Sequence, residues 1–292
     1  MPTEPTHPMT SPTAPTPHPP RIPNTPSTAL TPPTPAIAAE PGTELPRIKA
    51  FLTAFARRQA ARTVGLPGGF AALDDAFSLS YSANQIVIDR AVEPAALPAR
   101  AEEALGHLGH RMISIFDEAA AAACAPWLVR AGYTHSTYLI MLHTGPVPDA
   151  TTAHEVDLDA LRTPLSLRWR GFLPEADEET IRAVVGQREA RRRGADLVRF
   201  IGSRTGGGEI ASWADLYADP ATGTAQIEDL VTAVAQLGRG HAGAVLDTAL
   251  RWAADAGCGT RFLIADAQDW PRYWYARRGF TSIGHTHVFE RL

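Results

Sequence analysis

A glycine-rich turn is the part of this sequence that most directly indicates chemistry. Residues 236–243 read Gln-Leu-Gly-Arg-Gly-His-Ala-Gly, and they join a predicted strand at 225–232 to a predicted helix at 244–256. Glycine lets the backbone approach a ligand closely, and the first amides of a helix have no partner within that helix. A phosphate binds well at such a position, and Arg239 adds positive charge beside it. The turn therefore predicts an anion-binding site, although a simple passage from strand to helix can use the same residues.

Side chains suited to proton transfer lie on either side of this turn. Glu228 and Asp229 are on the preceding strand, where alternation is expected to place them on opposite faces, with Gln226 on the Glu228 face. Tyr275 is on a predicted short helix that ends at Gly279. A carboxylate can accept a proton, and a phenol with a pKa of about 10 can donate one at neutral pH. The competing interpretations are a packing role for Tyr275 and a strand-edge charge for either carboxylate.

The order of these features resembles the GNAT superfamily of acyl-CoA-dependent N-acyltransferases. Residues 153–292 contain a strand, the glycine turn, a helix, a strand, a short helix carrying a tyrosine, Gly-Phe and a final strand. The pyrophosphate-binding turn of the family, Arg/Gln-x-x-Gly-x-Gly/Ala, corresponds to residues 237–242. Leu237 replaces the usual Arg or Gln, which is a mild departure because the phosphates use mainly backbone amides.

The resemblance implies acetyl-CoA as cosubstrate and assigns roles to named residues. Tyr275 would protonate the leaving thiolate, and Glu228 would accept the proton of the amine. Glu228 is preferred to Asp229 because the Gln-Leu-Gly string looks like the turn of aminoglycoside 6′-N-acetyltransferases, which have a carboxylate at this offset. The pantetheine arm and the pyrophosphate would contact two groups of residues: Leu230, Val231 and Thr232 for the arm, and Leu237, Gly238, Arg239, Gly240, His241, Ala242 and Gly243 for the pyrophosphate.

The predicted fold class is α/β, with a GNAT-like mixed central sheet flanked by helices. A pattern of strand, Asp, helix, Gly-aromatic and strand occurs at Asp117 and again at Asp266, which predicts two tandem GNAT-like domains. The predicted domains are a disordered Pro/Thr-rich leader at 1–43, a degenerate GNAT-like domain at 44–148, and a catalytic acyl-CoA-binding domain at 149–292. The first domain is interpreted as degenerate because Leu128 occupies the position of Tyr275 and because no Gly-x-Gly turn precedes its helix at 97–108.

Two further segments receive specific predictions. Residues 166–169 are predicted to lie in a strand. Residues 178–193 are predicted to form a helix whose arginine-rich end, 188–193, is a solvated face, with a basic patch for the 3′-phosphate of CoA as the lesser alternative.

Composition excludes several classes of protein. The net charge of −4 gives no overall attraction for nucleic acid, and no segment has the length and apolarity of a membrane span or the apolar core of a signal peptide. Cys124 and Cys258 lack metal-ligand or redox spacing, so we expect two small buried hydrophobes and no metal. The expected partner is a small-molecule amine in the cytoplasm, and a homodimer is left open.

Two functions of different class remain at this stage. The first is an acetyl-CoA-dependent N-acetyltransferase that acts on a primary amine by direct attack on the thioester. The second is a catalytically silent CoA-binding sensor or structural partner, which Leu237 and the degenerate first half would suit.

Overall fold

An eleven-stranded mixed sheet runs through residues 42–292, the part of the chain that the computed structural model describes. The predicted leader at 1–43 lies, up to residue 41, outside the described residues. The strands are β1 (Arg62–Leu66), β2 (Gly69–Leu73), β3 (Gln85–Ile88), β4 (Arg111–Ile115), β5 (Thr134–His143), β6 (His154–Glu155), β7 (Leu197–Arg204), β8 (Ile210–Asp219), β9 (Thr224–Thr232), β10 (Thr260–Asp266) and β11 (Phe280–Arg291).

Helices cover both faces of this sheet. They are α1 (Glu44–Gln59), α2 (Leu97–Leu105), α3 (Glu118–Arg130), α4 (Leu158–Phe172), α5 (Glu178–Gly186), α6 (His241–Asp255) and α7 (Pro271–Arg277), and a 3₁₀ segment, Gln187–Arg193, follows α5. Three of them begin at an aspartate whose carboxylate accepts a hydrogen bond from a backbone amide three residues later: Asp117, Asp157 and Asp177. Such caps satisfy amides that would otherwise lack a partner at the helix start. The predicted mixed α/β fold is confirmed.

The strand order is similar on the two sides of a central pair, β11 and β5. It runs β1-β2-β3-β4-β11-β5-β10-β9-β8-β7-β6, so β11 lies between β4 and β5. On one side, β3 is parallel to β4, and β4 is antiparallel to β11. On the other side, β9 is parallel to β10, and β10 is antiparallel to β5. Each half therefore gives its last strand to the other half. The proposed boundary at 148/149 stays a prediction, because the sheet continues across it.

Apolar cores lie between the helices and both faces of the sheet. On one face, α6 buries Val245, Leu246 and Ala249 against β8, β9 and β10. Further along the same face, α2 and α3 cover β3, β4 and the β11 residue Phe289. On the opposite face, α1 packs over the middle of the sheet, with Phe51 in edge contact with Phe262 at 5.7 Å.

The predicted strand at 166–169 is wrong, because those residues lie in α4. The helix begins where the Asp157 carboxylate accepts from the Ala160 amide at 2.7 Å. Leu161 and Leu165, four residues apart, then fall on one buried face. The cap and this helical spacing outweigh the strand preference of a local Leu-Arg-Trp run.

Both cysteines are free and buried, as predicted. None of the helices within residues 42–292 is long and apolar enough to cross a membrane.

Candidate active site

The glycine turn leads directly into the N-terminus of α6. Gly238 and Gly240 have φ angles of 74° and 86°, in the left-handed region that glycine adopts without strain. No side chain caps α6. Within the described chain, the amides from Gly238 to Gly243 donate to no other group, so they remain available to an anion. This geometry agrees with the predicted phosphate site, and its contacts with CoA stay a prediction.

Two cations border the turn. Arg239 is exposed on the turn itself, as the sequence predicts. Arg278, from the residue after α7, lies against the first turn of α6, where a side chain at Gly243 would collide with its guanidinium group. The Arg278 guanidinium group also lies over the Trp274 ring, 5.2 Å from its centroid. It forms an ion pair with the Asp247 carboxylate at 3.4 Å. Sequence reasoning missed Arg278, since only the folded chain brings it to the turn.

A cleft of about 170 Å³ opens where β9 and β10 separate. The two strands pair in parallel only from Thr224–Thr260 to Ile227–Leu263, and beyond Ile227 the edge of β9 turns away from β10. Backbone groups on such a free edge can bind an extended ligand by strand-like hydrogen bonds. Glu228, Asp229 and Tyr275 all line this cleft, so the structure brings together the proton-transfer candidates that the sequence names.

A bulge in β9 changes the orientation of its carboxylates. Asp229 has a φ of 51°, and the register between β8 and β9 shifts between the pairs Trp213–Val231 and Asp215–Glu228. One extra residue in β9 breaks the alternation of its side chains. The expectation that Glu228 and Asp229 face opposite sides is therefore wrong, and both residues line the cleft.

The two carboxyl groups have opposite pKa shifts. Burial and the nearby Asp229 charge raise the pKa of Glu228 to about 7, although Gln226 donates a hydrogen bond to its carboxylate at 2.6 Å. Burial also acts on Asp229, but Arg191 and Arg188 outweigh it and hold the pKa of that carboxyl well below its usual range. The proton near neutral pH therefore belongs on Glu228, which suits a general base.

A buried ion cluster holds Asp229 in place. Arg191 contacts the Asp229 carboxylate at 2.6 Å and the Asp215 carboxylate at 2.9 Å, and Arg188 contacts Asp215 at 2.6 Å. The Tyr217 hydroxyl donates to Asp215 at 2.6 Å. The prediction that 188–193 is a solvated face is wrong for Arg188 and Arg191, because these carboxylates stabilise their charges inside the protein.

Tyr275 is partly buried at the same cleft. Its ring lies in edge contact with Trp274 and Phe280, at centroid distances of 5.3 and 5.9 Å. Burial, with the charges of Glu228 and Asp229, raises its pKa above the usual value, so the phenol keeps its proton at neutral pH. It can therefore act as a proton donor in the cleft.

Known proteins match this arrangement in sequence and in fold. Residues 162–280 match the sequence model of the acetyltransferase (GNAT) family. The chain contains a GNAT acetyltransferase domain. The glycine turn, the separating strands and Tyr275 all lie inside the matched segment. The match supports acyl transfer as the general activity.

Two solved structures share the fold of most of the chain. A GCN5-related N-acetyltransferase from Kribbella flavida is 17% identical, with 85% of this chain and 95% of that chain covered and a TM-score of 0.56. A functionally unknown conserved protein from Staphylococcus epidermidis is 12% identical, with 79% and 93% covered and a TM-score of 0.57. At these identities the likeness concerns the fold alone. No curated protein matches the chain.

The remaining predicted residues of the GNAT domain are placed as follows. Leu237 is 59% exposed. The Nδ1 atom of His241 and the Ser203 hydroxyl form a hydrogen bond of 2.8 Å. Val231 and Thr232 pair with β8. Among residues 42–292, no group of three or more His, Cys, Asp or Glu side chains is arranged to hold a metal ion.

A second and larger cavity adjoins the cleft, and sequence reasoning did not find it. Its volume is about 770 Å³, and Arg168, Asp229 and Val231 line both spaces. Its walls come from α4, α5, the loop near Tyr81 and strands of both halves, so no single stretch of sequence indicates it. A site for an acceptor next to the cleft is consistent with its position.

Proposed function

We propose that the chain is an acetyl-CoA-dependent N-acetyltransferase that transfers an acetyl group to a primary amine of a small molecule by direct attack on the thioester. The observation that carries this proposal is that Glu228 and Tyr275 line one cleft at the separation of β9 from β10. A base for the amine and an acid for the leaving group thus flank a single space.

The turn before α6 supports acyl-CoA as the donor. Its amides from Gly238 to Gly243 and the nearby Arg239 and Arg278 suit a pyrophosphate. The free edge of β9 at Leu230–Thr232 suits the amides of a pantetheine arm and can polarise the thioester carbonyl. Most of the rate enhancement would come from holding donor and acceptor together.

Proton transfers to Glu228, to solvent and from Tyr275 complete the reaction. Glu228 accepts a proton from the ammonium group, and the neutral nitrogen forms a bond to the carbonyl carbon of the acetyl group. The carbon–sulfur bond breaks, Tyr275 gives its proton to the thiolate, and the acylated nitrogen loses its second proton to solvent. Solvent then returns both side chains to their starting protonation states. A thiol with a pKa of about 8.5 leaves readily, so positioning matters more than the acid.

The test combines binding with turnover. Calorimetry would measure acetyl-CoA binding to the wild type, and CoA release with a panel of primary amines would measure turnover. We expect Tyr275→Phe to lower kcat about 100-fold with little change in acetyl-CoA affinity or melting temperature, because only the proton donor is removed. Tyr273→Phe is the matched control: it lies two residues earlier on α7, is 56% exposed, and should change neither quantity.

The possible results separate the two functions. Equal turnover in Tyr275→Phe and the wild type would contradict the role of this hydroxyl. Acetyl-CoA binding with no turnover on any amine would favour the CoA-binding sensor. A folded wild type that does not bind acetyl-CoA would overturn the acetyltransferase proposal.

A further inference from the structure

The larger cavity has predominantly apolar and aromatic walls. Tyr81, Tyr138, Trp169 and Phe172 contribute rings, and Leu165 and Met112 contribute aliphatic surface. Rings of this kind favour alkyl chains and also alkylammonium groups, which interact with the face of an aromatic ring. The cavity therefore suits an acceptor with an elongated apolar body.

The end of the cavity next to the cleft is rich in positive charge. Arg168, Arg188 and Arg191 all line it, and the carboxylate there, Asp229, is already paired with Arg191 at 2.6 Å. Because Arg188 and Arg191 are paired with carboxylates, Arg168 is the cation at this end that disfavours a second cation on the acceptor. The reacting nitrogen, by contrast, must be neutral when it attacks, and Glu228 removes its proton.

Glu290 provides the opposite charge at another part of the cavity. It follows Phe289, which is buried under α2 and α3, so strand alternation directs Glu290 to the other face of the sheet, into the cavity. Its backbone oxygen accepts from Thr134, but its carboxylate forms no hydrogen bond or ion pair with any described residue. Burial raises the pKa of this carboxyl, and no neighbouring cation opposes the shift.

A partly buried carboxylate without a partner costs free energy, which a bound cation would recover. Tyr138 lies between the two ends, since its pKa is raised by burial and by the charges of both Glu290 and Glu228. Tyr138 pairs with Thr286 on β11, and Glu290 is four residues further along that strand, where it pairs with Thr134. An acceptor that reaches from the cleft to Glu290 therefore passes Tyr138, which lines the cavity between them.

We propose that this cavity binds the acceptor and that Glu290 recognises a second cationic group at the end remote from the reacting amine. The acceptor class is therefore a diamine with an apolar spacer, oriented by Arg168 near the cleft and by Glu290 at the far end. This inference rests on the proposed function for the chemistry at the near end, whereas the charge recognition can be measured without turnover.

The experiment compares octamethylenediamine with octylamine, which has the same chain length but only one amine. Calorimetry on the full chain, saturated with CoA, would measure the binding of each. We expect Glu290→Gln to lose about tenfold in affinity for both amines, because the single ammonium of octylamine can also reach Glu290, as expected for one hydrogen bond to a charged group. Glu103→Gln, an exposed acid on α2 away from the cavity, is the matched control and should bind like the wild type.

Kinetics provide the second measurement. With acetyl-CoA, Glu290→Gln should raise the KM for the diamine with little effect on kcat, and the ratio of kcat/KM for diamine over octylamine should fall toward one. No binding of either amine, unchanged amine affinity in Glu290→Gln, or an unchanged ratio of kcat/KM in that variant would overturn the inference. Diamine binding that depends on Glu290 without any acetyl transfer would support this site and would instead contradict the proposed function.

Discussion

At the scale of single residues, Glu228 and Tyr275 differ in how their environment prepares them. Burial raises the pKa of Glu228 to about 7, together with the charge of the adjacent Asp229, which Arg191 and Arg188 compensate. Tyr275 keeps its proton because burial and the same carboxylates disfavour the phenolate. One local charge arrangement thus sets a base and an acid in the same cleft.

The raised pKa of Glu228 predicts a specific pH dependence. As a base, Glu228 must be ionised, so kcat/KM should rise with pH up to about pH 7 and its slope should then decrease. The acceptor amine also loses a proton over this range, which makes Glu228→Gln the necessary comparison. The variant should lose about 100-fold in kcat/KM at pH 8. Below pH 7, the slope of its log(kcat/KM) against pH should be smaller by one than the slope of the wild type, because the ionisation of Glu228 no longer contributes.

Steady-state rates between pH 5.5 and 9 with one amine would check this prediction. Parallel profiles for the wild type and Glu228→Gln would show that another group accepts the proton.

At the scale of elements, α6 depends on glycines at both of its ends for different reasons. Gly240 precedes its first residue and Gly257 follows its last turn, with φ angles of 86° and 81°, and no atom lies within 4 Å of a side chain added at either. Both positions therefore incur a similar backbone strain from any other residue, but only Gly240 belongs to the phosphate-binding turn.

The similar backbone geometry of Gly240 and Gly257 offers a matched pair of variants. Gly240→Ala and Gly257→Ala should each lower the free energy of unfolding by about 1 to 2 kcal/mol, because alanine is strained in the left-handed region. Only Gly240→Ala should weaken acetyl-CoA binding, by about tenfold, through displaced amides. Urea unfolding and calorimetry would measure the two effects, and equal affinity in both variants would place the pyrophosphate elsewhere.

At the scale of the whole molecule, the exchange of last strands makes each half dependent on the other. β11 pairs with β4 and β5, and β5 pairs with β10 and β11. Neither half can complete its sheet alone, and an exposed central strand edge would aggregate. The larger cavity also takes walls from both halves, so acceptor recognition requires the intact sheet.

Cutting the chain in the loop between β5 and β6 tests this dependence. With a protease site inserted after Pro148, the two fragments should elute together in size-exclusion chromatography after cleavage, whereas each half expressed alone should be insoluble or unfolded by circular dichroism. Two separately folded and soluble halves would show instead that the boundary at 148/149 divides independent domains.

The sequence by itself determined the features that depend on local backbone chemistry. The glycines at 238 and 240, the helix after them and the position of Tyr275 before Gly279 all follow from φ preferences and short-range periodicity. The repeated strand–Asp–helix–Gly pattern likewise predicted two tandem domains, and that division stays a prediction because the strands of both halves form one sheet.

Tertiary structure alone decided the charge environment and the acceptor space. The bulge at Asp229 arises from pairing with β8, and Arg191 is mostly withdrawn from solvent because Asp215 and Asp229 are brought to it from two strands. Glu290 reaches the cavity only because β11 is inserted between strands of the first half. These features rest on contacts between residues distant in sequence, which propensity and spacing do not record.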